Sequence, residues 1–168
     1  MKLYLSAQWA RRREMHDTAI VLRSDGHEVV SRWHDELMGD DNASHEENWR
    51  AWALACFDDI RAADAFVAFT EEVGTDSRGG RHVEWGYALA IAGLGTYAFA
   101  EGTYAPAGLY AYVVGPCESQ FYALAWCRFA DVGALRAALS RVCRCLCHVP
   151  NPYGYGKHVI ACCDEARE

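Results

Sequence analysis

A single glutamate stands in an apolar, helix-forming segment near the middle of the chain. Residues 78–90 read RGGRHVEWGYALA, and Glu84 lies there between Val83 and Trp85. A carboxylate in such a place can act as a nucleophile. It can also be a plain glutamate near a helix start, which stabilises the helix by about 0.3–1 kcal/mol. Spacing alone favours the plain structural role.

The helix around Glu84 is predicted to begin near Gly79 or Gly80. Its apolar residues at helical spacing form a face that is expected to pack on a sheet: Val83, Tyr87, Ala90 and Ile91. Glu84 then lies at the rim of this face and in the first turn, where the helix dipole favours the ionised carboxylate that a nucleophile requires. The two glycines either let a ligand approach the backbone closely or only form the turn.

Three consecutive arginines form a second candidate site. Residues 8–15 read QWARRREM and are predicted to open the first helix. A helix N-terminus attracts anions and arginine grips phosphate through a bidentate fork, so Arg11 and Arg12 are candidate phosphate ligands. Successive helix positions differ by about 100°, so these two and Arg13 are not all expected to turn inward. The alternative is a solvated basic helix start.

Strand-like and helix-like segments alternate along the chain. The predicted strands cover residues 2–6, 27–32, 65–69, 109–114 and 126–130. The predicted helices cover about 11–25, 45–62, a segment from about 79, and 131–147, with a capping-box pattern of Ser44 and Glu47 before the second. This order predicts a three-layer α/β fold, in which a parallel five-stranded sheet carries helices on both faces. Ligands bind such folds outside the carboxyl ends of the strands, where the loops after residues 6, 31 and 69 are expected to meet.

Length and charge narrow the class of protein. The 168 residues suit one domain, predicted to span 1–147 with an insertion at about 93–108, followed by a tail at 148–168. A net charge of -7 argues against a nucleic-acid binder, which would have a basic face. No apolar run has the length of a membrane span, and the opening MKLYLSAQW predicts a first strand rather than a signal peptide. We therefore expect a cytoplasmic protein with no membrane partner.

Seven of the eight cysteines lie between residues 117 and 163. In a cytoplasmic protein they are expected to be reduced. A zinc-binding alternative rests on one His- and Cys-rich set: Cys143, Cys145, Cys147, His148, His158, Cys162 and Cys163. Its spacing differs from the paired cysteines of common zinc modules, so small buried apolar side chains are the favoured interpretation. No metal and no cofactor are predicted.

Five segments, in order along the chain, carry a family resemblance. They read LYLSAQWARRREM, DDIRAADAFVAF, GGRHVEWGYALA, VVGPCESQFY and CRFADVGALRAAL. Together they resemble the nucleoside 2-deoxyribosyltransferase family, whose superfamily also includes hydrolases of nucleoside monophosphates. The resemblance covers most of the chain apart from 93–108 and the tail. It implies a flavodoxin-like, Rossmann-like fold and oligomers with shared active sites.

The resemblance also assigns roles to individual residues. It implies that Glu84 is the nucleophile and that Tyr4 helps to position it. The chain departs from the family pattern at two acidic positions, where it has Cys56 and Arg78. The first of these positions contacts the leaving base or helps to protonate it in the family, so the general acid is open here. Asp76 is the candidate, because it lies in the loop ahead of Glu84.

The remaining candidates follow three of the predicted strands. Ser6 ends the first strand and is predicted to bind substrate. Trp33 follows the second strand and either stacks on a base or packs against the insertion. Ser119, in the segment GPCES after the fourth strand, either donates a hydrogen bond to phosphate or caps a helix.

These residues together predict an N-glycosidase that acts on a small nucleotide. Glu84 would attack C1′ of a (deoxy)nucleoside 5′-monophosphate, the base would leave, and water would then release the sugar phosphate. The arginines favour a monophosphate over a free nucleoside. The alternatives are a nucleoside 2-deoxyribosyltransferase, in which a second base replaces water, and a non-catalytic nucleotide sensor. A homodimer or higher homo-oligomer is expected.

Overall fold

Five parallel strands form the centre of the fold. The computed structural model describes residues 1–35, 44–75, 79–92 and 109–140. The strands are β1 (Lys2–Ser6), β2 (Glu28–Val29), β3 (Ala65–Phe69), β4 (Tyr110–Val114) and β5 (Cys127–Phe129). They pair in the order β2-β1-β3-β4-β5, and every pairing is parallel. This is the flavodoxin-like strand order, so the predicted α/β fold with a parallel five-stranded sheet is confirmed.

Helices cover both faces of the sheet. They are α1 (Arg12–Ser24), α2 (His45–Ala62), α3 (Gly80–Ile91) and α4 (Val132–Leu139). Side chains of α1 and α4 share one apolar core with Leu3, Leu5 and Val67. Side chains of α2 and α3 share a second core with Tyr4 and Phe66 on the opposite face. Because alternate residues of a strand point to opposite faces, neighbouring positions of β1 enter different cores.

Local signals in the sequence set most of the element boundaries. The second helix occupies the predicted residues 45–62. Its capping box is present: Ser44 Oγ accepts from the Glu47 N–H at 3.2 Å, and Glu47 Oε2 accepts from the Ser44 N–H at 2.8 Å. The second strand is shorter than predicted, because Glu28–Val29 alone form the ladder with β1. The last helix extends to Leu139 in the described part of the chain, and residues 141–147 lie outside it.

The predicted buried face of α3 is wrong for two of its four residues, while Tyr87 and Ile91 are half-buried and pack against the core as predicted. Val83 is 61% exposed and Ala90 is also exposed, whereas the residues that α3 buries are Arg81, Trp85, Ala88 and Leu89. The indole of Trp85 lies 5.1 Å from the ring of Tyr122 and 5.9 Å from that of Phe66, between centroids. A Trp side chain buries far more area than a Val, so its packing sets the rotation of the helix.

Several sequence predictions concern residues outside the described ranges. These are the roles of Asp76 and Arg78, the insertion at 93–108, the tail at 148–168 and the His- and Cys-rich set. The described cysteines, Cys56, Cys117 and Cys127, are free thiols. Among the described helices, none combines the length and the apolar character needed to span a bilayer.

Candidate active site

Glu84 lies against the end of β1 and is held through both of its carboxylate oxygens. The hydroxyl of Tyr4 donates to Oε1 at 3.0 Å, and the hydroxyl of Ser6 donates to Oε2 at 2.5 Å. Tyr4 and Ser6 are two residues apart on a strand, so their side chains leave the same face. That face is the one covered by α3, which supplies Glu84. Glu84 as a whole residue is half-buried, and its carboxylate contacts the carboxyl end of β1.

The orientation of Tyr4 is fixed by packing. Its side chain is fully buried and its ring stacks on Phe66 with centroids 5.3 Å apart. Burial, followed by the neighbouring charge of Glu84, raises the pKa of the Tyr4 phenol well above its ordinary value. The phenol therefore stays protonated and acts as a hydrogen-bond donor to Glu84 at any pH of interest.

Cys56 occupies the third position around the carboxylate. It lies on α2, partly buried, and is close enough to Tyr4 and Glu84 to interact electrostatically with both. Burial and the charge of Glu84 raise the pKa of the Cys56 thiol to about 12. The side chain is therefore a neutral thiol, neither a thiolate nor a second acid. The two neighbouring acids do not take its place, because Asp59 pairs with Arg32 and Asp58 with Arg61.

Burial raises the pKa of Glu84 above its ordinary value, and its donors limit the increase. The hydrogen bonds from Ser6 and Tyr4, the Cys56 thiol and the positive charge of Arg81 all lower the pKa, in that order. The sequence predicts that Glu84 lies in the first turn of the helix, where the dipole would keep it ionised. That position is wrong. Glu84 is beyond the first turn of α3, which begins at Gly80, and that turn contains no acidic residue. Hydroxyl donors stabilise the ionised form instead.

A buried arginine ties α3 to the loops after β3 and β4. Arg81 is 4% exposed and donates to the backbone oxygen of Phe69 at 2.6 Å and to Glu118 Oε1 at 2.5 Å. The other oxygen of Glu118 accepts from the backbone N–H of Glu71 at 2.5 Å. This network fixes the carboxyl end of β3 next to the helix that carries Glu84. Sequence reasoning missed it, although a lone arginine in a largely apolar helix was a usable signal.

The two candidate phosphate ligands have different surroundings. Arg11 pairs with Glu14 at 2.5 Å and with Glu71 at 3.0 Å, so two carboxylates already neutralise it. Arg12 donates from Nε to the backbone oxygen of Trp33 at 3.2 Å and lies 5.5 Å above the ring of Trp9. Within the described ranges, no carboxylate forms an ion pair with Arg12. Arg12 is therefore the better placed of the two to meet an anion.

Arg12 lies beside Trp9, which belongs to a cluster of three tryptophans. The Trp33 indole donates to the backbone oxygen of Leu5 at 2.7 Å, which holds it against the end of β1. Trp9 is 53% exposed and stacks on Trp52 with centroids 6.0 Å apart, while its centroid lies 6.1 Å from that of Trp33. The exposed ring of Trp9 is the surface here on which a base could stack. Sequence reasoning named Trp33 and missed Trp9 and Trp52, which only the fold brings together.

The remaining candidates are placed as follows. Gly79 is the N-cap of α3 with φ of 83°, a left-handed conformation that favours glycine. A Cβ added at Gly79 or Gly80 meets no described atom within 4 Å, so the requirement at Gly79 is one of conformation and not of space. Ser119 precedes the short 3-10 helix Gln120–Leu124 without a side-chain cap hydrogen bond. Capping therefore does not explain this serine.

Comparisons with known proteins identify the fold. No family model and no curated protein matches the chain. Among solved structures, a 2-deoxyribosyltransferase from Bacillus psychrosaccharolyticus matches with a TM-score of 0.58 and 17% identity, over 81% of this chain and 90% of that chain. A CMP N-glycosidase from Clostridium botulinum matches with a TM-score of 0.44 and 15% identity, over 83% of this chain and 98% of that chain. The first match shows that this chain has the fold of a 2-deoxyribosyltransferase.

Proposed function

We propose that this protein cleaves the N-glycosidic bond of a (deoxy)nucleoside 5′-monophosphate, with Glu84 as the nucleophile. The observation that carries the proposal is the position of Glu84 between the hydroxyls of Tyr4 and Ser6, at 3.0 and 2.5 Å. A glutamate that only stabilises its own helix does not need two buried hydroxyl donors from another element. Glu84 lies at the carboxyl end of a parallel sheet, and ligands bind at this edge in such folds. The shared fold with a 2-deoxyribosyltransferase supports glycosyl chemistry at this edge.

The reaction follows the retaining mechanism of glycosidases. An oxygen of Glu84 attacks C1′, the bond from C1′ to the base nitrogen breaks, and its electron pair leaves with the base. A general acid protonates the base, and Asp76 remains the candidate because it lies shortly before Glu84 in the sequence. Water then attacks C1′, the glycosyl ester breaks, and the carboxylate of Glu84 is restored. The products are free base and sugar phosphate.

Tyr4 and Ser6 orient the nucleophile in this mechanism. Ser6 is fully buried and its hydroxyl is directed at Glu84, so we assign it to the carboxylate and not to the substrate. Each donor binds one carboxylate oxygen, and together they hold the group in one orientation. Preorganisation of this kind lowers the barrier because the group need not be ordered during the reaction.

The phosphate is assigned to the region of Arg12. Its guanidinium lies beside the exposed ring of Trp9, which offers a stacking surface next to a cation. Because Arg12 pairs with no carboxylate of the residues that the structure describes, it can bind a 5′-phosphate without first giving up such a pair. Gly79, Gly80 and Ser119 stay as candidate substrate contacts.

Base exchange is the second candidate, and one observation favours it. Arg11 is already paired with Glu14 and Glu71, which lowers the positive charge available to a phosphate. A free nucleoside needs no such charge, and a second base would then take the place of water as acceptor. A non-catalytic nucleotide sensor is disfavoured, because a protein that only binds a nucleotide does not need a carboxylate held by two hydroxyl donors.

Incubation with a substrate panel tests the proposal. Ribo- and deoxyribonucleoside monophosphates and their free nucleosides are incubated with the protein, and released base is measured by chromatography. Glu84→Gln serves as the inactive variant and Glu46→Gln, an exposed residue of α2, as the matched control. We expect release from a monophosphate by wild type and control and at least a thousandfold less by Glu84→Gln.

The other outcomes are equally informative. If base is released only after a second base is added, the protein is a transferase. Equal rates in wild type and Glu84→Gln overturn the assignment of the nucleophile. If neither protein releases base while both bind a nucleotide, the sensor is the better account.

A further inference from the structure

Two histidines and an aspartate converge where α1 meets the segment that follows β2. His16 lies on α1, and His34 and Asp35 follow β2. Both Nδ1 atoms are directed at one carboxylate oxygen: Asp35 Oδ1 lies 2.8 Å from His16 and 3.0 Å from His34. The three potential ligand atoms all lie within 4.8 Å of one another. The mechanism proposed for Glu84 uses none of them.

We propose that His16, His34 and Asp35 bind a zinc ion, with water as the fourth ligand. Two imidazoles and one carboxylate with an open position are a ligand set that zinc accepts in tetrahedral geometry. Bonds of about 2.0–2.1 Å place neighbouring tetrahedral ligands about 3.3 Å apart. The nitrogens therefore have to move away from Asp35 Oδ1 by a few tenths of an ångström. The two nitrogens, which lie within 4.8 Å of each other, also have to take the tetrahedral separation of about 3.3 Å.

Groups behind the ligands hold them in the orientation that a metal needs. His34 has a fully buried side chain, and its other ring nitrogen, Nε2, lies 3.0 Å from the hydroxyl of Ser31. That hydroxyl also accepts from the backbone N–H of Leu5 at 3.1 Å. Such a partner on the second nitrogen is the usual companion of a metal-bound histidine, because it fixes both tautomer and ring orientation. With zinc on Nδ1, the proton of His34 lies on Nε2 and is donated to Ser31, whose oxygen has two lone pairs to accept both bonds.

The charges around Asp35 are compatible with a bound cation. Arg23 donates to Oδ2 of this carboxylate at 2.6 Å and leaves Oδ1 directed at the two histidines. The carboxylate is thus held as a monodentate ligand. An entry path exists, since the side chains of His16 and Asp35 are 45% and 26% exposed while that of His34 is covered.

A zinc ion here would connect α1 to the segment that contains Trp33. His34 is adjacent in sequence to Trp33, whose indole and backbone oxygen contact Leu5 and Arg12. The ion would therefore stabilise the aromatic and cationic surface at the end of β1 without touching the substrate. The proposal gives the ion no step in the reaction at Glu84, and metal binding can be measured whether or not Glu84 is a nucleophile.

Zinc titration of tag-free, chelator-treated, desalted full-length protein tests this site. Calorimetry gives the number of zinc ions bound, and Co²⁺ absorption reports whether thiolates take part. The variants are His16→Asn, which changes a partly exposed residue, and Asp35→Asn. The matched control is His45→Asn, an exposed histidine at the start of α2. The cysteines of residues 141–168 stay unchanged in all of them.

We expect wild type and His45→Asn to bind one more equivalent of zinc than His16→Asn, or to bind it at least tenfold more tightly. The Co²⁺ spectrum of that equivalent should lack a thiolate charge-transfer band. We also expect zinc to raise the Tm of wild type more than that of His16→Asn, since an ion that binds only the folded state stabilises it. Equal stoichiometry and affinity in wild type and both site variants overturn the proposal, as does a lost equivalent that carries the thiolate band.

Discussion

The hydroxyl of Tyr4 donates a 3.0 Å hydrogen bond to Glu84 Oε1 across 80 positions of sequence. This contact joins the first strand to the third helix at the edge of the sheet. Ser6 adds a second donor from the same strand face. The pair therefore forms a rigid carboxylate site, whose chemistry can be tested one atom at a time.

Tyr4→Phe removes one donor and keeps the ring that stacks on Phe66. We expect kcat to fall about ten- to a hundredfold, because a hydrogen bond to a charged group is worth ~1.5–3 kcal/mol. Steady-state base release with wild type and variant measures the change. Tyr110→Phe, which is buried in the core on the other face, is the control and should keep its rate. An unchanged kcat in Tyr4→Phe would remove this residue from the mechanism.

Activity should fall as pH decreases through the raised pKa of Glu84. Burial raises that pKa above its ordinary value of 4.5, and the nucleophile must be ionised. The acidic limb of a plot of kcat/KM against pH should therefore lie above 4.5 and report this group. In Ser6→Ala the limb should move to still higher pH, because the strongest opposing donor is gone. If the acidic limb has the same position in Ser6→Ala as in wild type, the titrating group is not Glu84.

The same raised pKa predicts that Glu84→Gln is more stable than wild type at neutral pH. An acid whose folded pKa lies above its unfolded value binds more protons in the native state, so it lowers stability as pH rises through that window. The gain in Tm for Glu84→Gln should be largest above the folded pKa and should shrink below pH 4.5, the ordinary value. Thermal unfolding at several pH values measures it. A gain in Tm that is the same at every pH would contradict the raised pKa of Glu84.

Cys56→Asp places a second carboxylate beside Glu84. Like charges at close range disfavour joint ionisation, so the acidic limb of the pH profile should move upward by a unit or more. Cys56→Ser keeps a small neutral donor and should leave the limb within a few tenths of a unit. Measurement of kcat/KM against pH for both variants tests this difference in the acidic limb. Identical profiles would mean that the side chain at 56 does not face the carboxylate.

Arg12→Ala should separate phosphate binding from chemistry. We expect KM for a nucleoside monophosphate to rise about tenfold or more, because a charged hydrogen bond is worth ~1.5–3 kcal/mol. KM for the corresponding free nucleoside should change little. Arg13→Ala, at the adjacent exposed position of α1, is the control and should match wild type with both substrates. A parallel rise for both substrates would assign Arg12 to the surface around Trp9 instead.

Arg81→Met should destabilise the fold strongly. It leaves Glu118, which is 9% exposed in its side chain, without its cationic partner. Breaking a buried ion pair from one side costs about 3–5 kcal/mol, whereas replacing both partners costs less. Urea unfolding should therefore show a larger loss for Arg81→Met alone than for Arg81→Met combined with Glu118→Gln. Additive losses would mean that the two side chains do not interact.

The order of elements was readable from the sequence because its signals are local. Alternating apolar segments and the capping box of Ser44 and Glu47 act within a few residues, and the sheet followed from them. The spacing of Tyr4 and Ser6 on one strand also placed their side chains on a common face. The resemblance in the segment around Glu84 marked the carboxylate to which both hydroxyls donate.

Only the tertiary structure decided what surrounds that carboxylate. The rotation of α3 depends on how Trp85 packs against Phe66 and Tyr122, and periodicity alone favoured Val83 for the buried face. The distinction between Arg11 and Arg12 likewise depends on Glu71, a partner 60 positions away from Arg11. Contacts of this range are set by packing of whole elements, which no local pattern encodes. The sequence by itself therefore determined the fold and named the carboxylate, while its pKa, its donors and the charges around it required the folded chain.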